Sequence, residues 1–229
     1  MATAIVTGTS SGIGEAIAQV LLQNGYNVIG LSRRRGDIHH PLFEHLPCDL
    51  SDLAVVDILQ KKLVEIEDLK ILVNAAGFGR FEPHEELSSK TITDMIALNL
   101  TTPILLANAL MRPLKKSKGM ILNITSIEAT RHSKFSALYS ATKAGLRAFG
   151  LTLFEETRNS GVKVVTINPD MTETPFFDGF RFGVGKEDDT KLLTSDIAQA
   201  IQYLLDTRDG ICMTEMTIRS QRFGITKKE

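Results

Sequence analysis

Ala2-Thr-Ala-Ile-Val-Thr7, running into Gly8-Thr-Ser-Ser-Gly12-Ile-Gly14, is the stretch that decides the fold. A short β-branched run enters a glycine-rich turn, and a helical pattern over about 12–24 leaves it. Glycines in such a turn permit close backbone approach, and the start of the helix presents free N–H groups to a pyrophosphate. Gly8, Ser11, Gly12, Ile13 and Gly14 are therefore candidate phosphate-binding positions, with the Ile13 backbone nearest. The spacing is Gly-x3-Gly-x-Gly, not the better-known Gly-x-Gly-x-x-Gly. The turn gains its meaning from the rest of the chain.

Beyond α-helical residue 24 the same alternation repeats. Strand-like runs fall at Tyr26–Leu31, Glu44–Cys48, Leu69–Asn74, Gly119–Thr125 and Val162–Asn168, with a short last one near Glu215–Ile218. Helix-like patterns lie at about 52–66, 88–115, 136–160 and 194–206, and Ser51-Asp52 and Thr194-Ser-Asp-Ile supply capping residues. Parallel neighbours need crossover connections, so this order predicts an α/β fold: a doubly wound parallel sheet with helices on both faces. Ile71-Leu-Val and Val162–Ile167 are nearly continuous apolar runs, as strands covered on both sides should be. No linker or repeat divides the chain, which reads as one domain over 1–229.

Two segments break the pattern. Pro103 lies inside the 88–115 run, where it kinks the helix or separates two pieces. Pro175–Leu193 mixes Phe176, Phe177, Phe180 and Phe182 with Gly179, Gly183 and Gly185. Such a segment suits either a mobile cover over an apolar pocket or a surface loop whose rings dock on the core.

Composition narrows the class. The chain has 229 residues, 43% of them hydrophobic and 23% charged, enough for a sizeable core. A net charge of −1 gives no general reason to bind nucleic acid or an anionic membrane. Neither a signal peptide nor a membrane-length apolar run is apparent, and Cys48 and Cys212 suit buried thiols in a reduced compartment, so the expectation is a cytoplasmic protein. His39, His40 and His45 cluster without further ligands, so no metal site is expected. The tail Lys227-Lys-Glu229 is expected to fray, and Arg219-Ser-Gln-Arg222 to be solvated.

The end of the second strand bears on which dinucleotide fits. A carboxylate there would favour a ribose 2′-hydroxyl, whereas this chain has Ser32 followed by Arg33-Arg34-Arg35. Arginine forks match phosphate oxygens, so NADP(H) is expected over NAD(H), with Arg35 a solvated loop residue. Asp49 after the third strand is placed either to bond an adenine amine or to cap the helix beginning at Asp52. Asn74-Ala75-Ala-Gly77 closes the fourth strand at the same edge, where ligands of open α/β sheets bind.

Tyr139-Ser-Ala-Thr-Lys143 sets a phenol and an ammonium four residues apart on one helix face. A nearby cation favours the phenolate and so brings a tyrosine proton closer to use at neutral pH. Ser126 precedes the tyrosine by thirteen residues.

In order along the chain, Thr7–Gly14, Asp49, Asn74–Gly77, Asn99, Ser126, Tyr139-x-x-x-Lys143 and Asn168-Pro169 closely resemble the short-chain dehydrogenase/reductase family in its single-domain form. The resemblance implies a Rossmann fold, a nicotinamide cofactor and a homodimer or homotetramer built on the long helices. It implies that Tyr139 is the general acid/base, that Lys143 holds the nicotinamide ribose and biases Tyr139 toward phenolate, and that Ser126 orients the substrate oxygen. Asn99 would hold a water linking Lys143 to solvent. Thr174 would meet the nicotinamide carboxamide, with Pro169 and Thr172 on the same cofactor-binding segment. Two positions depart from the family pattern. Asp170 stands where Pro-Gly is usual, so a positive φ is in question there, and Glu128 lies two residues beyond Ser126, where it would point into the pocket. Together these two carboxylates would disfavour acidic substrates.

The function expected from the sequence is an NADP(H)-dependent oxidoreductase exchanging hydride with a small to medium, apolar ketone, aldehyde or alcohol. The rival is a dinucleotide-sensing or scaffold protein of the same fold without turnover.

Overall fold

The computed structural model describes residues 2–228. β1 (Thr3–Thr7) leads through the glycine turn into α1 (Gly12–Gln23), and the alternation continues with β2 (Asn27–Ser32), β3 (Phe43–Pro47), α2 (Leu53–Leu63) and β4 (Leu69–Asn74). The second half holds α3 (Ser89–Ile96), α4 (Thr102–Ser117), β5 (Met120–Ile124), α5 (Ala137–Thr157), β6 (Lys163–Pro169), β7 (Phe182–Val184), α6 (Thr194–Asp206), β8 (Glu215–Ile218) and β9 (Ile225–Lys227). Seven strands form one sheet in the order β3-β2-β1-β4-β5-β6-β8, with every pairing parallel. This is the doubly wound fold that the sequence predicts. Strand order reverses beside β1, so the cleft opens between the C-terminal ends of β1 and β4.

Each face of the sheet is covered by its own apolar layer. On one, Ile17 and Leu21 of α1 meet Ile197 and Ile201 of α6 over Val6, Val73 and Leu122. On the other, Leu59 and Leu63 of α2 and Leu106, Leu110 and Leu114 of α4 lie over Ile5, Leu72 and Ile121. The helical run Ser89–Ser117 is long and apolar enough in composition to cross a membrane. Its fully buried Met95, Leu106, Leu110 and Leu114 account for that apolarity as core.

The 88–115 pattern resolves into α3 and α4 joined by one π-helical turn, Ala97–Thr101. Pro103 supplies the reason: without an N–H it cannot close the usual bond to the Asn99 carbonyl, and its ring crowds that carbonyl. The chain widens there instead, with Thr102 N–H bonding back to the Ala97 carbonyl. Ser51-Asp52 caps α2 as expected, through Asp52 Oδ1 accepting from Ala54 and Val55 N–H. At α6 the reciprocal bond is Leu193 N–H to Asp196 Oδ2, at 2.8 Å.

The tail differs from expectation. β9 pairs antiparallel with β7 inside the Phe-rich segment, so Lys227 is strand and not frayed. Lys228 donates its N–H to the Arg181 carbonyl (2.8 Å) and its ammonium to the Phe177 carbonyl (2.7 Å). Glu229 lies outside the described residues. Arg222 grips Asp189 with two hydrogen bonds of 2.6 and 2.8 Å, so this part of the tail is tied down although its side chains meet solvent.

Truncating Leu110 to Ala would leave a void beneath the sheet, and the expected loss of unfolding free energy is ~2–5 kcal/mol in a urea titration.

Candidate active site

The glycine turn is built by close approach. Gly8 sits at φ +78°, with the Ala76 Cα only 2.9 Å from where a Cβ would lie, and a Cβ at Gly14 would run into the Gly8 carbonyl. Thr7 Oγ1 joins this turn to the next strand end, accepting from the N–H groups of Ala75 (2.9 Å) and Ala76 (3.0 Å) and donating to the Val73 carbonyl. Ser11 is the N-cap of α1, yet its side chain makes no capping bond, so Ile13 and its neighbours direct N–H groups outward without a side-chain acceptor. An uncapped helix start beneath a glycine-rich approach fits a dinucleotide pyrophosphate.

The adenosine side is more closely bonded than the sequence suggests. Ser32 is buried; its hydroxyl donates to the Arg34 carbonyl (2.7 Å) and meets His45 Nε2 (3.1 Å) and Thr9 Oγ1 (3.3 Å). His45 thus braces the strand end. The side chains of Arg33, Arg34 and Arg35 are exposed beside the turn. Asp49 Oδ1 accepts from the N–H and hydroxyl of Ser51, which with the charges of Arg33 and Lys90 hold its carboxyl below the usual range against a smaller effect of burial. Since Asp52 caps α2, Asp49 is not the helix cap. Asn74 is buried and donates to Asn123 Oδ1 (2.9 Å), so its side chain ties β4 to β5 instead of entering the cleft.

The catalytic candidates converge. Ser126 follows β5, Tyr139 and Lys143 stand on one face of α5, and Asn99 sits on the π turn. Lys143 Nζ donates to the Ile124 carbonyl (2.9 Å) and lies 5.8 Å from the Tyr139 ring centre. Asn99 brackets Phe78, accepting from its N–H (3.0 Å) and donating to its carbonyl (2.8 Å), and it also donates to Thr142 Oγ1. Gly77 packs against both Asn99 and Lys143. The Asn99 side chain is therefore committed to holding the Gly77–Phe78 loop. Its main-chain carbonyl cannot take the usual donor four residues on, because Pro103 has no N–H.

Burial dominates both ionisable groups. It pushes the Tyr139 phenol up to about 12, with the Ser126 hydrogen bond pulling down and the Glu128 charge pushing up. It also drives the Lys143 ammonium down to about 8. The expected lowering by Lys143 is not among the effects on the phenol, which loss of solvent dominates. The cause is a ring cluster: Phe81 and Phe176 lie 5.3 and 5.9 Å from the Tyr139 ring, with Phe177, Phe180 and Phe182 packed around them. Phe81 belongs to the loop after β4 and carries no periodic signal that would single it out.

The remaining candidates line the β6 side. Pro169 ends β6, Thr172 is buried with its hydroxyl on the Asp170 carbonyl, and the Thr174 methyl packs on Gly12, across the mouth of the glycine turn. Positive φ among non-glycine residues is confined to Lys118 and Phe135 in the described chain, so Asp170 carries no such strain. Asp170 pairs with Arg219 (3.2 Å) and Glu128 with Arg131 (2.6 Å), so neither carboxylate is an unpaired charge facing the pocket. Behind them, Arg147 and Glu215 form a bidentate pair, and Asn168 links Glu215 (2.6 Å) to Thr125.

Comparison with known proteins bears on the family and the fold. Residues 2–182 match the short chain dehydrogenase family. An uncharacterized oxidoreductase of Staphylococcus epidermidis is 35% identical over 94% of this chain and 96% of its own. An alcohol dehydrogenase of the archaeon Thermococcus sibiricus, solved with 5-hydroxy-NADP, superposes with a TM-score of 0.82 at 29% identity, covering 96% of this chain and 97% of that one. A 4-hydroxyisoleucine dehydrogenase solved with NADH and succinate gives a TM-score of 0.82 at 25% identity, covering 95% and 97%. The chain belongs to the short chain dehydrogenase family and is an oxidoreductase of that fold.

The buried lysine has a measurable consequence. Between about pH 8 and 10.5 the unfolded chain holds the Lys143 proton and the folded one does not, so without added cofactor stability should rise across that window. Tyr139 acts oppositely from 10 to about 12, where only the folded state keeps its proton and stability falls with pH. Urea midpoints against pH should show this rise and fall, and Lys143→Met should remove the rise.

Proposed function

We propose that this protein is an NADP(H)-dependent reductase of apolar ketones or aldehydes, running in reverse as an alcohol dehydrogenase. The observation that carries the reading is the convergence of half-buried Ser126 with buried Tyr139 and Lys143 at the carboxyl edge of β5. The bound nicotinamide supplies or accepts the hydride. Gly8, Gly12, Ile13 and Gly14 hold the pyrophosphate on backbone N–H groups, and Ala75 and Gly77 border the path toward the ribose. Lys143 reaches the ribose hydroxyls, and Pro169, Thr172 and Thr174 flank the nicotinamide. Ser126 orients the substrate oxygen while Tyr139 gives it a proton or removes one. A water on the Asn99 carbonyl completes the proton path past Lys143.

The NADP(H) preference is supported by Arg33 and Arg34 at the end of a strand that lacks a carboxylate, and by the 5-hydroxy-NADP of the archaeal relative. The apolar substrate is supported by Phe81, Phe176 and Phe180 against Tyr139. Those rings cover the phenol, so the segment 175–193 acts as a cover that moves aside when substrate enters. A homodimer or homotetramer through the outer faces of α4 and α5, in the cytoplasm, completes the reading.

Tyr139→Phe should cut carbonyl reduction by ~10²–10⁴ while NADPH still quenches or shifts in a binding titration. A variant that keeps full turnover sinks the assignment, and an unchanged cofactor response with no turnover in the parent favours a sensor. Arg33→Ala should weaken NADPH binding about tenfold or more with little effect on NADH, measured by competition titration.

A further inference from the structure

Glu128 is only 7% exposed, and its carboxylate is fully engaged. Oε1 accepts from Arg131 Nε (2.6 Å) and Ser133 Oγ (2.7 Å), while Oε2 accepts from Ser136 Oγ (2.8 Å) and Ser140 Oγ (3.2 Å). Ser136 immediately precedes α5 and Ser140 immediately follows Tyr139. One oxygen therefore holds hydroxyls on either side of the phenol-bearing residue. The Glu128 N–H also donates to Ser126 Oγ (3.2 Å), so the same residue touches both arms of the site.

We propose that Glu128 is a positioning residue for proton transfer: it clamps Ser136 and Ser140, sets the first turn of α5, and so aims the Tyr139 phenol at Ser126. The proposal rests on Tyr139 being the proton donor.

The charge adds a second effect. Burial pushes the Glu128 carboxyl up, but the bonds from Ser133, Arg131 and Ser136, with the Arg131 charge, together hold it below its ordinary value. It stays an anion at neutral pH. An anion near the phenol opposes phenolate, adding to the effect of burial. Glu128 thus adds to burial in favouring the protonated form of Tyr139, the form that carbonyl reduction consumes. The charged groups around it bear on how far this reaches. Arg131 comes from its own turn and stacks under the Phe223 ring at 5.9 Å. Arg131 Nη2 also faces Asp170 from the end of β6 at 4.0 Å, and Asp170 is paired with Arg219 beyond β8. Tyr139 and Lys143 are the ionisable groups on the facing stretch of α5. Shared with Asp170, Arg131 neutralises Glu128 only in part.

The test separates clamp from charge. The chain has three tyrosines and no tryptophan, so in a Tyr26→Phe/Tyr203→Phe background the ultraviolet phenolate band reports Tyr139 alone, without turnover. Glu128→Gln in that background should lower the titration midpoint by about half a unit to one unit, with circular dichroism following the fold at each pH. A Ser136→Ala/Ser140→Ala variant keeps the charge and cuts the clamp. It should leave the midpoint in place while kcat for NADPH-dependent carbonyl reduction falls about tenfold with KM nearly constant. Glu128→Asp, charged but shorter, should follow the serine variant. An unmoved midpoint in Glu128→Gln, or an undiminished kcat in the serine variant, overturns the proposal. Where Glu128→Gln does not fold, the serine variant decides alone. If the parent reduces no carbonyl, the reductase reading fails by itself, and the Tyr139 midpoint still decides whether the Glu128 charge acts on the phenol.

Discussion

The hydrogen bond from the Lys143 ammonium to the Ile124 carbonyl organises the site. It ties the second turn of α5 to the last residue of β5, and Tyr139 stands one turn earlier on the same face. Burying a cation is costly unless it is bonded, and the lowered pKa of the Lys143 ammonium reflects that cost. The carbonyl it uses is available because it lies at the strand end. There the ladder gives way to Ser126 and its short turn, so lysine, serine and tyrosine meet where the sheet runs out.

The point of strand reversal lies at the same edge of the sheet. β1 and β4 are neighbours in space but far apart in sequence, and the Thr7 hydroxyl bridges their ends by bonding two successive N–H groups of the Ala75–Ala76 turn. Asn74 and Asn123 repeat the tactic between β4 and β5, and Thr125, Asn168 and Glu215 extend it to β6 and β8. Polar side chains thus tie neighbouring strands together from β1 across to β8.

Much of this was legible in the residues. Unbroken apolar runs such as Ile71-Leu-Val demand cover on both faces, and a tyrosine and lysine four apart on a helix must share a side. What escaped depended on partners distant in sequence. Arg219 neutralises Asp170 across forty-nine positions, and Phe81 joins the rings of 176–182 from a loop with no periodicity. β7 and β9 are too short to announce themselves, and pair only because the chain returns. Residue spacing alone also makes the lysine charge look like the main influence on the phenol. Removal from water acts on both groups at once, and only packing reveals its weight.

The π turn at Ala97–Thr101 links two helices whose neighbours differ in part: α4 lies on β4 and α2 and also touches α5, on which α3 leans. One surplus residue in a helix rotates everything beyond it by about 100°, and that offset allows a nearly continuous rod to face two ways. The stretch consequently accepts many changes of side chain more readily than any change of length. Excising a single residue would swing the α3 surface off its neighbour and carry the amide that braces Phe78 away with it.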